Sequence, residues 1–128
     1  MKLLIDTCTF LWLDSSPKKV SAAAIDAFLD PANERYLSAA SAWEIAIKYG
    51  LGRLPLPLRP ELFLSQVRVK SGIESLAVDE ECALHTSRLP HLHGDPFDRM
   101  LVAQAIVHGM TILTPDQAII QYAARVLW

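Results

Sequence analysis

Cysteine is scarce in this chain, and so are glycine-rich loops, long apolar runs and surplus positive charge. Only Cys8 and Cys82 occur and they form no CxxC, which excludes a disulfide framework; both are read as reduced, Cys8 as a small core filler. The five glycines build neither a P-loop nor a GxGxxG, since Gly50-Leu51-Gly52 lacks the third glycine. GxSxG is also missing, which removes the serine hydrolases that use it. No apolar run approaches the roughly 18 residues that span a bilayer, because Gln104 and His108 interrupt Leu101–Leu113. Leu3-Leu4-Ile5 is too short for a signal-peptide core, so the expected setting is cytoplasmic, with no membrane partner. Net charge is −2, unlike the strongly basic chains that bind nucleic acid through a large positive patch. Repeats, linkers and low-complexity tracts are absent, so residues 1–128 are expected to form a single domain.

What is abundant is apolar side chain, at 52% of the sequence, arranged in short runs that alternate with helical periodicity. Strands are predicted at Leu3–Asp6, Tyr36–Ala39, Ile73–Val78, Met110–Thr114 and Arg125–Trp128. Helices are predicted at Phe10–Leu13, capped by Thr7, and at Val20–Leu29, Ala40–Tyr49, Glu61–Lys70, Asp79–Arg88, Pro96–His108 and Gln117–Ala123. Gly109 reads as the residue closing the long helix, and alternating Pro55 and Pro57 force Leu54–Leu58 into an extended loop. Strand and helix alternation of this kind predicts a parallel sheet covered on both faces, an α/β class, and the high apolar content leaves surface for self-association.

Five acids sit where the apolar runs end: Asp6, Glu44, Asp95, Asp98 and Asp116. The carboxyl ends of strands in an open α/β sheet converge on one crevice, and carboxylates packed there repel one another unless a hard cation neutralises them. Each acid also has an ordinary explanation. Asp6, Asp95 and Asp116 stand at helix starts and can serve as N-caps, with Pro96 at the first helical position after Asp95. Glu44 shares a helix face with Ala40, Ile47 and Leu51, where its alternative is an i,i+4 pair with Lys48. Asp98 lies in line with Leu101, Val102 and Ala105, so its stripe faces the sheet. The set argues for a metal site more strongly than any member. Setting these five aside leaves nine acids against twelve lysines and arginines, a balance of +3 that keeps nucleic acid open as a partner. His91 and His93 read as solvated loop residues, His85 and His108 as surface or capping ones.

Leu3-Leu4-Ile5-Asp6-Thr7, Ser41-Ala42-Trp43-Glu44-Ile45, the run Asp95-Pro96-Phe97-Asp98-Arg99-Met100 continuing to Ala105, and Ile112-Leu113-Thr114-Pro115-Asp116 occur in this order over nearly the whole chain. Together they resemble a PIN domain, specifically the VapC toxin-like group. The resemblance implies a three-layer α/β/α sandwich with a central, mostly parallel sheet of four to five strands. It implies a Mg²⁺- or Mn²⁺-dependent ribonuclease, the toxin of a type II toxin–antitoxin pair, usually a homodimer inhibited by its antitoxin. Carried onto this chain, Asp6 and Asp98 are the principal metal ligands, Glu44 and Asp116 complete the acidic set, and Asp95 either touches metal or only caps its helix.

Phosphodiester hydrolysis develops charge on the phosphoryl and leaving oxygens, which one or two metals stabilise while activating a bound water. In this scheme Glu44 orients or deprotonates the water, Asp116 completes a second metal position and Thr114 orders water. Arg99 contacts substrate phosphate, supports the ligand shell, or makes a solvent-exposed ion pair. Lys48, Arg53 and Arg59 are candidates for gripping RNA, and a solvated basic face explains them as well. Trp12, Trp43 and Trp128 are the large aromatics available to core or interface.

Other classes fit less well. A haloacid-dehalogenase-type phosphatase needs a second acid where this chain has Cys8, and a receiver-like domain needs its acceptor after the third strand, where Asp79 already reads as a cap. A PIN nuclease of RNA processing, one acting on DNA, and a non-catalytic module for a cation or basic peptide are the remaining alternatives.

Overall fold

The computed structural model describes residues 1–128 and contains one five-stranded sheet. Its strands are β1 (Lys2–Ile5), β2 (Glu34–Ser38), β3 (Ile73–Leu76), β4 (Thr111–Leu113) and β5 (Arg125–Leu127). The helices are α1 (Thr7–Ser15), α2 (Ala22–Leu29), α3 (Ala39–Gly50), α4 (Pro60–Ser71), α5 (Glu80–His85), α6 (Pro96–His108) and α7 (Gln117–Ile120). No helix is long and apolar enough to cross a membrane.

The strand order is β3-β2-β1-β4-β5, and every neighbouring pair is parallel. Leu4 lies between Tyr36 and Ile112, and Ile5 is level with Leu113. The chain lays down β1, β2 and β3 outward on one side, then returns to place β4 on the free edge of β1. Helices leaving β1 and β4 therefore diverge, and the crevice outside their carboxyl ends is the switch point where α/β sheets form sites.

Alternating side chains of the central strands feed two cores. Ile5, Leu37 and Leu113 join Phe10, Phe28, Ile45, Phe63 and Val67 from α1 to α4 on one face. Leu4 and Ile112 join Leu101, Val102, Ala105 and Ile119 from α6 and α7 on the other. Leu3, Leu4 and Ile5 are all fully buried, each worth about 1.5–3 kcal/mol of burial, which is why β1 reads as a continuous apolar run. Gly109 ends α6 at φ 65°, a left-handed conformation that glycine adopts without strain.

Several boundaries depart from expectation. Asp6, not Thr7, caps α1, because its extended backbone lets Oδ1 take the Thr9 N–H, and α1 then runs well beyond Phe10–Leu13 in both directions. The helix expected at Asp79–Arg88 gives way to a 3₁₀ turn at Thr86, where the hydroxyls of Thr86 and Ser87 bond back to Ala83 and Leu84 carbonyls. The third strand stops at Leu76, before Val78. Cys8 is exposed rather than core filler, since the cap at Asp6 turns it outward. Trp43 is 64% exposed on α3, its ring edge-on to Phe97 at 5.4 Å, while Trp12 and Trp128 pack together at 6.2 Å.

Candidate functional site

Three of the five acids are delivered by a strand end or by the helix that follows it, and the other two by the start of α6, which α5 and a 3₁₀ turn separate from β3. Asp6 closes β1, Glu44 lies on α3 after β2, Asp95 and Asp98 open α6, and Asp116 follows β4. Three of them are helix N-caps through Oδ1 alone. Asp6 accepts the Thr9 N–H at 2.7 Å, Asp95 those of Phe97 and Asp98 at 2.9 and 3.2 Å, and Asp116 that of Ala118 at 2.9 Å. Capping and membership of the site therefore coexist, and the helix N-termini contribute partial positive charge to an acidic cluster.

All five acids line one cavity of about 410 Å³, together with Cys8, Trp12 and two cations, Lys48 and Arg53. Lys48 Nζ lies 2.8 Å from Glu44 Oε2, so the i,i+4 pair is formed, with Glu44 buried and Lys48 half exposed. Asp98 Oδ1, Glu44 Oε1 and the Oδ2 atoms of Asp95 and Asp116 have no hydrogen-bond partner in the protein. Carboxylate oxygens are donors for a hard cation rather than a thiophilic metal, although no three of these acids bring their ligand atoms within 4.8 Å of one another.

Burial acts on two of the acids, Asp6 and Asp98. It raises the Asp6 carboxyl above its usual range, against the hydrogen bonds from Thr114 and Thr9. It pushes Asp98 up to about 6, opposed by the hydrogen bond from His93 and reinforced by the charges of Asp95 and Asp116. Lys48 is raised, first by its hydrogen bond to Glu44 and further by the charges of Glu44, Asp95 and Asp98. Cys8, exposed as a residue, has its thiol partly enclosed at the cavity wall, and that desolvation with the charges of Asp6, Asp116 and Glu44 pushes it up to about 11, so it stays protonated.

The remaining predicted residues divide. Thr114 is fully buried; its Oγ1 donates to Asp6 Oδ2 and accepts the Asp116 N–H at 3.0 Å, so it braces two acids and does not order water at the cavity surface. Arg99 does not line the cavity and makes no exposed ion pair. It donates to the carbonyls of Pro90 and Thr86 at 2.8 and 2.9 Å and to the Tyr122 hydroxyl at 3.0 Å. Arg59 stands away from the cavity, in an exposed pair with Glu61 at 3.8 Å.

One histidine departs from its reading, and another, at the end of α6, joins a second cluster. His93 is no solvated loop residue: Nε2 lies 3.1 Å from Asp98 Oδ2 and Nδ1 lies 2.7 Å from the Tyr122 hydroxyl. The signal was its position five residues before Asp98, close enough for a loop to fold back on the helix start. His108 lies 3.5 Å from the buried Cys82 sulfur and 4.0 Å from Asp79, a separate cluster joining α5 to α6 outside the acidic cavity.

These features define a class, an α/β/α domain whose switch-point crevice is an acidic cavity. The chain belongs to the PIN domain family, whose model matches residues 3–125. It is 28% identical to Ribonuclease VapC22 of Mycobacterium tuberculosis over 116 residues, covering 90% of this chain and 87% of that protein. Among solved structures it resembles a chain of VapBC2 from Rickettsia felis, bound to a DNA fragment from its promoter, with TM-score 0.72 and 15% identity over 99% of this chain and 98% of that one. A toxin–antitoxin complex from Klebsiella pneumoniae holds a similar chain, with TM-score 0.63 and 14% identity over 98% of this chain and 96% of that one.

Proposed function

We propose that this protein is a Mg²⁺- or Mn²⁺-dependent endoribonuclease and the toxin of a type II toxin–antitoxin pair. The observation that carries the reading is the convergence of five carboxylates on one switch-point cavity in a PIN domain. Likeness to a VapC ribonuclease supports RNA as the substrate. Asp6 and Asp98 hold the cation, Glu44 and Asp116 complete the set, and Asp95 divides its two oxygens between the α6 cap and the cavity. A bound divalent cation supplies charge neutralisation for the phosphoryl and leaving oxygens and lowers the pKa of a bound water.

The protein's own groups have distinct tasks. Glu44 keeps Oε1 free to orient the attacking water and take its proton, while Oε2 is held by Lys48. Thr114 fixes Asp6 and Asp116 relative to each other across the ends of β1 and β4. Lys48 and Arg53 at the cavity wall attract the RNA backbone, a sequence-independent contribution that weakens with salt.

An antitoxin has a clear physical route to inhibition. An arginine from a partner segment binds carboxylates bidentately, so one inserted into this cavity excludes cation and RNA together. Likeness to chains from toxin–antitoxin complexes supports such a partner. The exposed apolar hollow lined by Trp43, Val78, Phe97 and Met100 supports self-association as a homodimer.

The test is cleavage of single-stranded and structured RNAs by the purified protein with Mg²⁺, Mn²⁺ or EDTA, alongside Asp98→Asn. The expected result is cation-dependent cleavage that falls at least about 100-fold in the variant. Cation binding with no cleavage of any RNA, or cleavage unaffected by the substitution, would remove the nuclease reading.

A further inference from the structure

Behind Asp98 lies a chain of hydrogen bonds whose direction is fixed by its far end. Arg99 carries only donors, so its Nη1 gives a proton to the Tyr122 oxygen at 3.0 Å. Tyr122 is only 4% exposed, and its own hydroxyl proton must find an acceptor within the protein. The partner in reach is His93 Nδ1 at 2.7 Å, which must then be unprotonated. In a neutral imidazole the proton is left on Nε2, 3.1 Å from Asp98 Oδ2, where it donates to the carboxylate.

The same groups are held by packing. The His93 and Tyr122 rings lie 5.4 Å apart, and the Arg99 guanidinium stands 5.9 Å over the Tyr122 ring. Arg99 also clasps the Thr86 and Pro90 carbonyls, so it ties down the segment leading to His93. One arginine thus fixes both where the histidine sits and which of its nitrogens carries the proton.

Resting on the nuclease reading above, we propose that His93, set in its Nε2–H tautomer by Tyr122 and Arg99, is a positioning residue that pins Asp98 Oδ2 and leaves Oδ1 for the cation. Partners of this kind set the orientation of a metal ligand, and their loss costs about 10- to 100-fold in metal affinity or activity.

The experiment uses the full chain without RNA. Mn²⁺ affinity is titrated by the electron paramagnetic resonance of free Mn²⁺, and the His93 tautomer is read from imidazole ¹⁵N shifts in metal-free protein. Wild type should show the Nε2–H tautomer. His93→Phe should weaken Mn²⁺ about 10- to 100-fold with an unchanged circular dichroism spectrum, and His93→Gln, which restores an N–H donor, should recover most of that loss. Tyr122→Phe keeps His93 but removes its lock, so the Nδ1–H form should emerge; this arm stands even if His93→Phe does not fold. An Nδ1–H tautomer in wild type, or unchanged Mn²⁺ affinity in folded His93→Phe, would overturn the proposal. Tight Mn²⁺ binding with the expected variant effects but no RNA cleavage would instead sink the nuclease reading and leave the positioning role intact.

Discussion

Thr114 gives its hydroxyl proton to Asp6 Oδ2 and, on the same oxygen, accepts the Asp116 backbone N–H at 3.0 Å, tying the end of β4 to the end of β1. Thr114 and Asp6 are buried while Asp116 is exposed, so the bond to Asp6 cannot be replaced by water without reopening the crevice. Thr114→Val keeps the shape and deletes the hydroxyl, leaving a carboxylate oxygen and an N–H without partners. The expected cost is about 1–3 kcal/mol in urea unfolding, with Thr114→Ser recovering most of it. An unchanged midpoint would mean that Asp6 finds another donor.

Burial gives Asp98 an unusual pH signature. Its carboxyl titrates near its ordinary value of 3.8 in the unfolded chain and at about 6 in the fold. Between those values the folded state binds more protons, so this group adds stability as pH falls through about 6 and withdraws it as pH rises. The Tm of cation-free protein should therefore carry a component that increases from neutral pH toward about pH 5, and saturating Mg²⁺ should abolish it. Differential scanning fluorimetry with and without EDTA reads both; an identical pH slope in the two conditions would refute it.

Asp98→Asn is close to isosteric and removes a desolvated charge that stands near Asp95 and Asp116. At pH above 7 and without divalent cation, the variant should be more stable than wild type by about 1 kcal/mol, a rise of several degrees in Tm. A functional acid that costs stability is expected of a binding site; a drop in Tm would instead mark Asp98 as a structural residue.

Much of the fold was legible because the elements obey local rules. Apolar runs at β1 and β4 can be dry on both faces only between helices, and Gly109 and Pro96 mark where α6 ends and starts. The acids were legible as a set because strand ends converge. What escaped were choices made by tertiary contacts. Three capping acids proved to belong to the cavity as well, which spacing alone leaves open, since each carboxylate divides its two oxygens. His93 was misread, and the reading of Arg99 stayed divided among three roles, because their partners, the loop carbonyls and Tyr122, approach from elements distant in sequence. No period or motif announces a contact of that kind.

Lys48 is the cation this chain already keeps among its acids, and it separates two tasks of the cavity. Its ammonium lies 2.8 Å from Glu44 Oε2, and the charges of Asp95 and Asp98 also raise its pKa. Lys48→Met preserves length and the stem's packing while removing the charge, so the effect on stability should be small, about 0.5 kcal/mol for an i,i+4 pair. Cation binding should respond in the opposite sense to substrate binding. Deleting one positive charge from a five-carboxylate site lessens repulsion of an incoming divalent ion, and Mg²⁺ should bind roughly tenfold tighter, about 1.4 kcal/mol. RNA loses a phosphate contact, so KM should rise and its dependence on salt should flatten, while kcat at saturating Mg²⁺ changes little. Isothermal titration with Mg²⁺ and steady-state cleavage at two salt concentrations measure both arms. If Mg²⁺ affinity fell with RNA affinity, Lys48 would be bracing Glu44 as a ligand instead of competing with the cation for it.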